Sequence, residues 1–139
     1  MNSGSLISVL EKIRLDFSSL PATASQSVTL RSNIHVVPYS TAALWVRVHA
    51  RDMAAGQTLR LALRNSLPSA EDPREFVDPT DMLAVDITSS APTAIPGIGW
   101  DSSSRIGPYL NLVAIATQTS VSTTFYADVS VELLLRVGL

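Results

Sequence analysis

The final stretch of the chain, TTFYADVSVELLLRV at residues 123–137, alternates apolar and polar side chains. One set of alternate positions is apolar throughout: Phe125, Ala127, Val129, Val131, Leu133, Leu135 and Val137. The other set is Tyr126, Asp128, Ser130, Glu132, Leu134 and Arg136. Because successive side chains of a strand point to opposite faces, the pattern predicts a long strand with one face in a core.

The middle of the chain repeats this two-residue period. Residues 43–51 place Leu44, Val46, Val48 and Ala50 on one side, and Trp45, Arg47, His49 and Arg51 on the other. Residues 58–65 place three leucines inward, at 59, 61 and 63, and two arginines outward, at 60 and 64. Gly56 is free to adopt positive φ in the turn between them, so the pattern predicts an antiparallel hairpin over 43–65.

Further strands are predicted at 26–31, 34–39, 82–88 and 109–118. Pro38 cannot donate to a ladder and therefore belongs at an edge or an end. Neither 109–118 nor 123–137 contains Gly or Pro, and only a short turn separates them. We therefore expect these two strands to pair as a central hairpin.

The segment LISVLEKIRLDF, residues 6–17, has both a helical and an alternating apolar spacing. Periodicity alone does not decide between these structures. We favour a strand for its later half, 12–17, because every other element is predicted as a strand. Residues 1–20 then form either an N-terminal arm or a first strand.

About eight alternating strands predict antiparallel sheets, because strands of parallel sheets are apolar on both faces. Two stacked sheets give a β-sandwich, and two long connections, at 66–81 and 89–105, favour a jelly roll. An immunoglobulin-like sandwich is the alternative, although its Cys–Trp–Cys pattern is absent. We predict a single domain over residues 1–139.

The composition bears on partners. Charged residues make up 16% of the chain, against about 25% in an average soluble domain. Such a surface fits either an uncharged soluble domain or a subunit covered by neighbours. The net charge of −2 disfavours nucleic acid. No apolar run reaches the roughly 18 residues of a membrane helix, so we predict no membrane partner.

No sequence motif indicates a catalytic reaction. The chain has no cysteine and no Gly-x-Ser-x-Gly elbow, and its two histidines, His35 and His49, lie in strand patterns. We therefore predict no enzyme, no cofactor and no metal. A calcium site remains the weaker alternative for the acids of one loop. Those acids are Glu71, Asp72, Glu75, Asp78 and Asp81.

Sugar binding is a second candidate function, because β-sandwiches present aromatic side chains on which sugars stack. The aromatic candidates are Tyr39, Trp45, Trp100, Tyr109 and Tyr126. Trp100 is the best of them, since Gly97 and Gly99 beside it permit close approach of a ligand. A Trp100 ring packed against one end of the sandwich is the interpretation we favour.

Stretches such as TTFYADVSVELLLR and ALWVRVHA, with a Ser/Thr-rich polar surface, resemble small jelly-roll structural proteins of tailed-phage virions. These families are head decoration proteins and head or tail accessory subunits. The resemblance implies a non-enzymatic subunit, located in the virion, that binds copies of itself and a capsid or tail surface. It transfers no site residues.

Leu134 interrupts the polar face of the last strand, which suggests that another subunit covers that face. The N-terminal segment offers a second apolar element, and the two long connections are long enough to bind a partner. The candidate interface residues are Leu6, Val9, Leu10, Leu134, Trp100 and Phe76. We predict a homo-oligomer, of cyclic symmetry, that docks onto a larger assembly. A carbohydrate-binding module is the alternative, and a small hydrolase ranks last.

Overall fold

In the computed structural model, strands pair from the two ends of the chain inward. β1 (Gly4–Asp16) pairs with β9 (Tyr126–Arg136), β2 (Ser25–His35) with β8 (Tyr109–Gln118), β3 (Thr41–Asp52) with β7 (Ser104–Arg105), and β4 (Gln57–Pro68) with β6 (Leu83–Thr88). The short strand β5 (Glu75–Val77) pairs with the last residues of β4. Every pairing is antiparallel, so the chain resembles one long hairpin.

The structure describes residues 4–21, 24–36, 39, 41–68, 75–77, 81, 83–90, 104–105, 109–119 and 124–137. At 66–68, 75–77 and 104–105 it describes the backbone alone.

Two further pairings, β9 with β3 and β8 with β4, roll this long hairpin into two sheets. The four-stranded sheet has the order β1-β9-β3-β7. The five-stranded sheet has the order β2-β8-β4-β5, with β6 also paired to β4. This order, in which β1 to β4 alternate between the sheets, is that of a jelly roll. The predicted all-β antiparallel sandwich is confirmed, with nine strands among the described residues where about eight were expected.

Both predicted hairpins are wrong. β3 and β4 are consecutive but lie in different sheets, and so do β8 and β9. Alternation reveals which face of a strand is buried, and it does not reveal which strand lies beside it. The prediction that 109–118 and 123–137 are central strands holds, since β8 lies between β2 and β4 and β9 between β1 and β3.

Gly4–Asp16 form one strand, which therefore includes residues 6–11 of the ambiguous segment as well as most of its later half, 12–17. Its mixed periodicity has a physical cause, because two register shifts against β9 fall between Ser8 and Ile13. β2 covers the strand predicted at 26–31 and only the first two residues of the one predicted at 34–39, since Val36 and Tyr39 lie outside any strand. Asn33, with φ of 52°, lies where its register is irregular. Asparagine tolerates this left-handed conformation better than most residues. Pro38 lies outside the described residues.

β3 carries an extra residue, His49, between the pairs Val48–Val129 and Ala50–Asp128. The shift places Ala50 opposite the outward Asp128 and Arg51 opposite Ala127, which is buried. The predicted faces of Ala50 and Arg51 are therefore exchanged. A bulge of one residue reverses every later position of an alternating pattern.

The stretches predicted as loops contain some regular structure. β4 continues to Pro68, β5 occupies part of 66–81, and β7 takes the end of 89–105. The remaining residues of both stretches lie outside the described part of the chain, apart from Asp81, Ser89 and Ser90.

One apolar core lies between the sheets. Its residues include the predicted inward positions Val46, Val48, Leu59, Leu61, Leu63, Val129, Val131, Leu133 and Leu135, all at most 3% exposed. Arg60 is exposed and Arg64 half-buried, as expected for outward positions.

Described residues from three chain connections meet at one end of the sandwich, which we call the closed end: 17–21 and 24, 53–56, and 119 with 124–125. Phe17 and Phe125 place their ring centroids 5.9 Å apart there, and the Phe17 N–H donates to the Phe125 carbonyl at 2.7 Å. Gly56 adopts a φ of 88° in the turn between β3 and β4, as its sequence context predicted.

Candidate functional site: an apolar row on the outer face of the four-stranded sheet

Three apolar residues lie side by side on the outer face of the four-stranded sheet. Leu6 of β1 and Ala43 of β3 are both opposite Leu134 of β9 in the strand register. We call Leu6, Leu134 and Ala43 the apolar row. It crosses the sheet near Gly4, Thr41 and Arg136, away from the closed end, and we call this the apolar end.

The apolar row is graded in exposure. Leu6 is 58% exposed, Leu134 is half-buried and Ala43 is 2% exposed. Leu6 is the most exposed large hydrophobic residue in the described part of the chain. An exposed leucine alone is ordinary, but Leu6 lies beside the half-buried Leu134, so the exposed apolar surface extends over two strands.

A cleft of about 250 Å³ lies on this face, lined by Leu6, Trp45, Arg47, Glu132 and Leu134. Trp45 is opposite Glu132 in the register and is half-buried. The cleft thus joins the apolar row to an aromatic ring and two opposite charges. A large ring beside aliphatic groups, with charge at the rim, is typical of protein–protein contact surfaces.

The two charges of the cleft are only loosely paired. Arg47 Nε lies 3.8 Å from Glu132 Oε1, beyond hydrogen-bond distance. Arg47 Nε is shielded from solvent and has no hydrogen-bond partner among the described residues. The Arg47 and Glu132 side chains are 42% and 24% exposed as a whole, so their exposed atoms can meet polar atoms of a partner without first breaking a hydrogen bond between the two residues.

Toward the closed end the same face becomes tightly ion-paired. Arg14 Nε and Nη2 donate to the two oxygens of Asp128 at 2.8 and 3.1 Å, and Arg14 also lies 4.0 Å from the ring centre of Tyr126. The hydrogen bonds from Arg14 lower the pKa of Asp128 below its ordinary value. Hydrogen bonds from the Ser18 hydroxyl and N–H likewise lower the pKa of Asp16.

One contact on this face has the spacing of a catalytic pair. His49 Nε2 and Ser130 Oγ are 3.0 Å apart, the distance that a nucleophile and its base need. Asp128, the nearby acid, bonds to Arg14. His49 is exposed on an open sheet face. We interpret the contact as a cross-strand surface pair, and the absence of enzyme activity stays a prediction.

The described residues contain no group of three or more His, Cys, Asp or Glu side chains that could hold a metal ion. Of the acids weighed for calcium, Asp81 bonds to Arg60 and Arg64 at 3.2 and 2.8 Å. Only the backbone of Glu75 is described, and Glu71, Asp72 and Asp78 lie outside the described residues.

Two predicted interface residues, Leu6 and Leu134, do come together in the apolar row. Val9 and Leu10 do not lie on the surface, since they are 7% and 6% exposed and belong to the core. The register shift between Ser8 and Leu10 explains why both turn inward. Phe76 lies in β5 with only its backbone described, and Trp100 is outside the described residues.

The aromatic residues weighed for sugar binding are scattered. Tyr109 stacks on His35 with ring centroids 5.2 Å apart, Tyr39 packs against the core, and Tyr126 lies under Arg14. Of the four that the structure describes, Trp45 alone lines the cleft. No continuous stacking platform forms among these four side chains.

Sequence reasoning missed a buried amide pair at the closed end. Gln57 Nε2 donates to Gln118 Oε1 at 2.6 Å and to the Thr124 carbonyl at 3.1 Å. Gln118 Nε2 donates to the Leu20 carbonyl at 2.6 Å. The signal was present, because Gln57 is in phase with the inward Leu59 and Gln118 with the inward Ala116.

Comparisons of this chain with models of known protein families, with curated proteins and with solved structures found no match. In the described part of the chain, no helix has the length and apolarity to cross a membrane. The geometry of the site therefore carries the functional argument.

Proposed function

We propose that this protein is a non-enzymatic structural subunit of a larger assembly, which self-associates and docks on a protein surface. The observation that carries the proposal is the apolar row beside Trp45, on a chain whose charged fraction is only 16%. Covering Leu6, Leu134 and Trp45 removes apolar surface from water, which favours association.

The jelly-roll order supports this role, because folds of this class pack side by side in viral coats. The assembly we propose is a tailed-phage virion, with the chain as a head decoration or a head or tail accessory subunit. Repetition of a weak contact around such a particle would supply avidity.

The test is sedimentation velocity at tens of micromolar protein, on the wild type and two variants. The wild type should sediment as more than a monomer. Leu134→Glu places a charge in the apolar row and should shift the protein toward the monomer. Thr117→Glu, at an exposed position of the five-stranded sheet, is the matched control and should not. A wild type that stays monomeric, or equal effects of both variants, would contradict self-association.

Carbohydrate binding is the second candidate, and one observation favours it: Trp45 lies beside Arg47 and Glu132 in the cleft, an aromatic ring next to polar groups. A glycan array with wild type and Trp45→Ala discriminates between the two functions. Binding of a defined sugar that Trp45→Ala abolishes, by a monomeric wild type, would support the sugar-binding module and contradict the structural subunit.

A further inference from the structure

β1 and β2 each form an edge of a sheet. Among the described residues, β1 pairs only with β9 and β2 only with β8. Alternate residues of an antiparallel edge strand direct their N–H and C=O groups outward, where a strand of another molecule can bind them. Such edges are usually protected by charges, by bulges or by covering groups.

The second half of β1 is protected in all three ways. Two register shifts interrupt its pairing with β9, between Ser8 and Ile13. Arg31 of β2 donates from Nε to the Val9 carbonyl at 3.1 Å. Charged residues then follow closely: Glu11, Lys12, Arg14 and Asp16.

The first half, Gly4–Ser8, has none of these protections among the described residues. It pairs with β9 in unbroken register, from Gly4 opposite Arg136 to Ser8 opposite Glu132. Its five residues carry no charge, and its central residue is the exposed Leu6. A flat, uncharged edge with an apolar centre is suited to strand addition.

We propose that residues 4–8 of β1 pair antiparallel with residues 4–8 of a second copy across a two-fold axis. This inference rests on the proposed function and adds an edge contact to the face contact at Leu134 and Trp45, which strand pairing alone leaves uncovered. With Leu6 opposite the Leu6 of the second copy, Gly4 faces Ser8 and Ser5 faces Ile7. No charge meets a like charge, and an apolar pair occupies the centre.

The chemistry of the edge favours a second copy as the occupant. A two-fold axis requires the surface to be compatible with itself, and residues 4–8 set no charge against a like charge and place Leu6 against its own copy. An axis centred on the second half would bring Lys12 close to its own copy. The pairing joins two four-stranded sheets into one, and the apolar row then continues through both copies.

β2 shows what a less suitable edge looks like. Its first half, 25–29, also pairs in regular register and also lacks charge. An axis through its centre would bring Ser27 against Ser27, and the neighbouring Val28 is 36% exposed against 58% for Leu6, so self-pairing there would bury less apolar surface. The two edges thus form a natural comparison within one molecule.

Five residues from each copy make a small contact, below the about 1,200 Å² typical of stable complexes. We therefore expect weak pairing in solution. Disulfide capture detects weak pairing, and the chain contains no cysteine of its own.

The experiment introduces one cysteine at a time. Opposite residues of antiparallel strands have Cα atoms about 4.5–5.5 Å apart, within the range of a disulfide. Leu6→Cys should therefore form a disulfide-linked dimer under mild oxidation at about 100 µM protein, a concentration chosen for a contact of this size. In this register, position 8 lies about 13 Å from position 8 of the second copy, so Ser8→Cys should not form the disulfide. Ser27→Cys tests the other edge.

Non-reducing electrophoresis and mass spectrometry report the dimer. Leu6→Cys should dimerise at least several-fold faster than Ser8→Cys and Ser27→Cys. Leu6→Cys itself removes the leucine, so Leu6→Lys provides a second measurement. Leu6→Lys should raise the dissociation constant of self-association about tenfold in sedimentation velocity. Position 6 is exposed, so the circular dichroism spectrum of Leu6→Lys should match that of the wild type.

Equal dimerisation of the three cysteine variants, or none in Leu6→Cys, would overturn the pairing. If the wild type still self-associates while Leu6→Cys stays unlinked, the edge contact is wrong and the structural-subunit proposal stands. If Leu6→Cys stays unlinked and the wild type is monomeric, both the edge contact and self-association are wrong.

Discussion

At the closed end of the sandwich, short connections fold onto the core, and buried polar groups bond to one another. Gln57 and Gln118 are 1% and 2% exposed, and their amides bond to each other and to backbone carbonyls. At the apolar end, the outer face of the four-stranded sheet carries Leu6 at 58% exposure. The first end satisfies its buried glutamine amides within the chain, and the second leaves the Leu6 side chain in water.

The outer face of the four-stranded sheet changes character between these ends. Near the closed end, Arg14, Asp128 and Tyr126 bind one another. Near the apolar end, Arg47 and Glu132 are loosely paired beside Leu134. Buried polar groups that bond within the chain serve stability, whereas exposed apolar groups do so poorly. We therefore expect a partner to bind the outer face near the apolar end.

The largest difference in the free energy of unfolding should be between substitutions on the two faces of β9 at the apolar end. Leu133 is fully buried and its neighbour Leu134 lies in the outer row. Leu133→Ala leaves a cavity and should lower the free energy of unfolding by about 2–5 kcal/mol. Leu134→Ala should cost much less, because its site is open to solvent. Urea titration of both variants measures the difference.

Ser130→Ala, on the outer face of the same strand, is the control and should also cost far less than Leu133→Ala. If Leu134→Ala destabilised the chain as much as Leu133→Ala, the outer row would belong to the core. The apolar end would then resemble the closed end, and the comparison would fail.

The next effect concerns the closed end. Gln118→Ala removes the acceptor of Gln57 Nε2 and the donor to the Leu20 carbonyl. Leaving buried polar groups without partners should cost about 1–3 kcal/mol. Thr117→Ala, one residue earlier and exposed, is the matched control and should be near neutral. Thermal or urea unfolding decides, and equal stability of the two variants would show that the amide pair does not hold this end together.

Much of the fold could be predicted from the sequence, because burial imposes alternation. The inward leucines at 59, 61 and 63 and the inward positions of β9 were assigned correctly from their period. Pairing was not, since β3 and β4 alternate equally well whether they pair or cross between sheets. Bulges were the second feature that could not be predicted, because the extra His49 in β3 exchanged the faces of Ala50 and Arg51.

The candidate site shows the same limit. Leu134 was found because it breaks a polar phase, and Leu6 joined it because both strands lie in one sheet. Val9 and Leu10 were misplaced, since nothing local marks the register shift that turns both inward. Trp45 was weighed only as a sugar contact, and its place beside Leu134 depends on β3 lying next to β9, a long-range pairing.

The smallest effect tests the ion-paired part of the outer face. The pKa of Asp128 is lowered in the folded chain by its hydrogen bonds with Arg14, and that of Asp16 by Ser18. A lowered folded pKa means that the carboxylates stabilise the fold above their ordinary value of 3.8. This contribution is lost as the pH falls through the folded pKa. It should be small, because Arg14 is 55% exposed and solvent screens exposed pairs.

Asp128→Asn removes one of these groups, so wild type and variant should differ in urea midpoint at neutral pH. The difference should persist to about pH 5 and shrink below 3.8, where the wild-type carboxylate becomes protonated too. Thr117→Ala changes an exposed residue of the other sheet that bonds to no titrating side chain among the described residues, so its difference from the wild type should stay constant over this acid range. A difference for Asp128→Asn that grows on acidification would mean that Arg14 does not hold the carboxylate in its charged form. The outer face would then lack a stabilising pair near the closed end, and its contrast with the apolar row would rest on hydropathy alone.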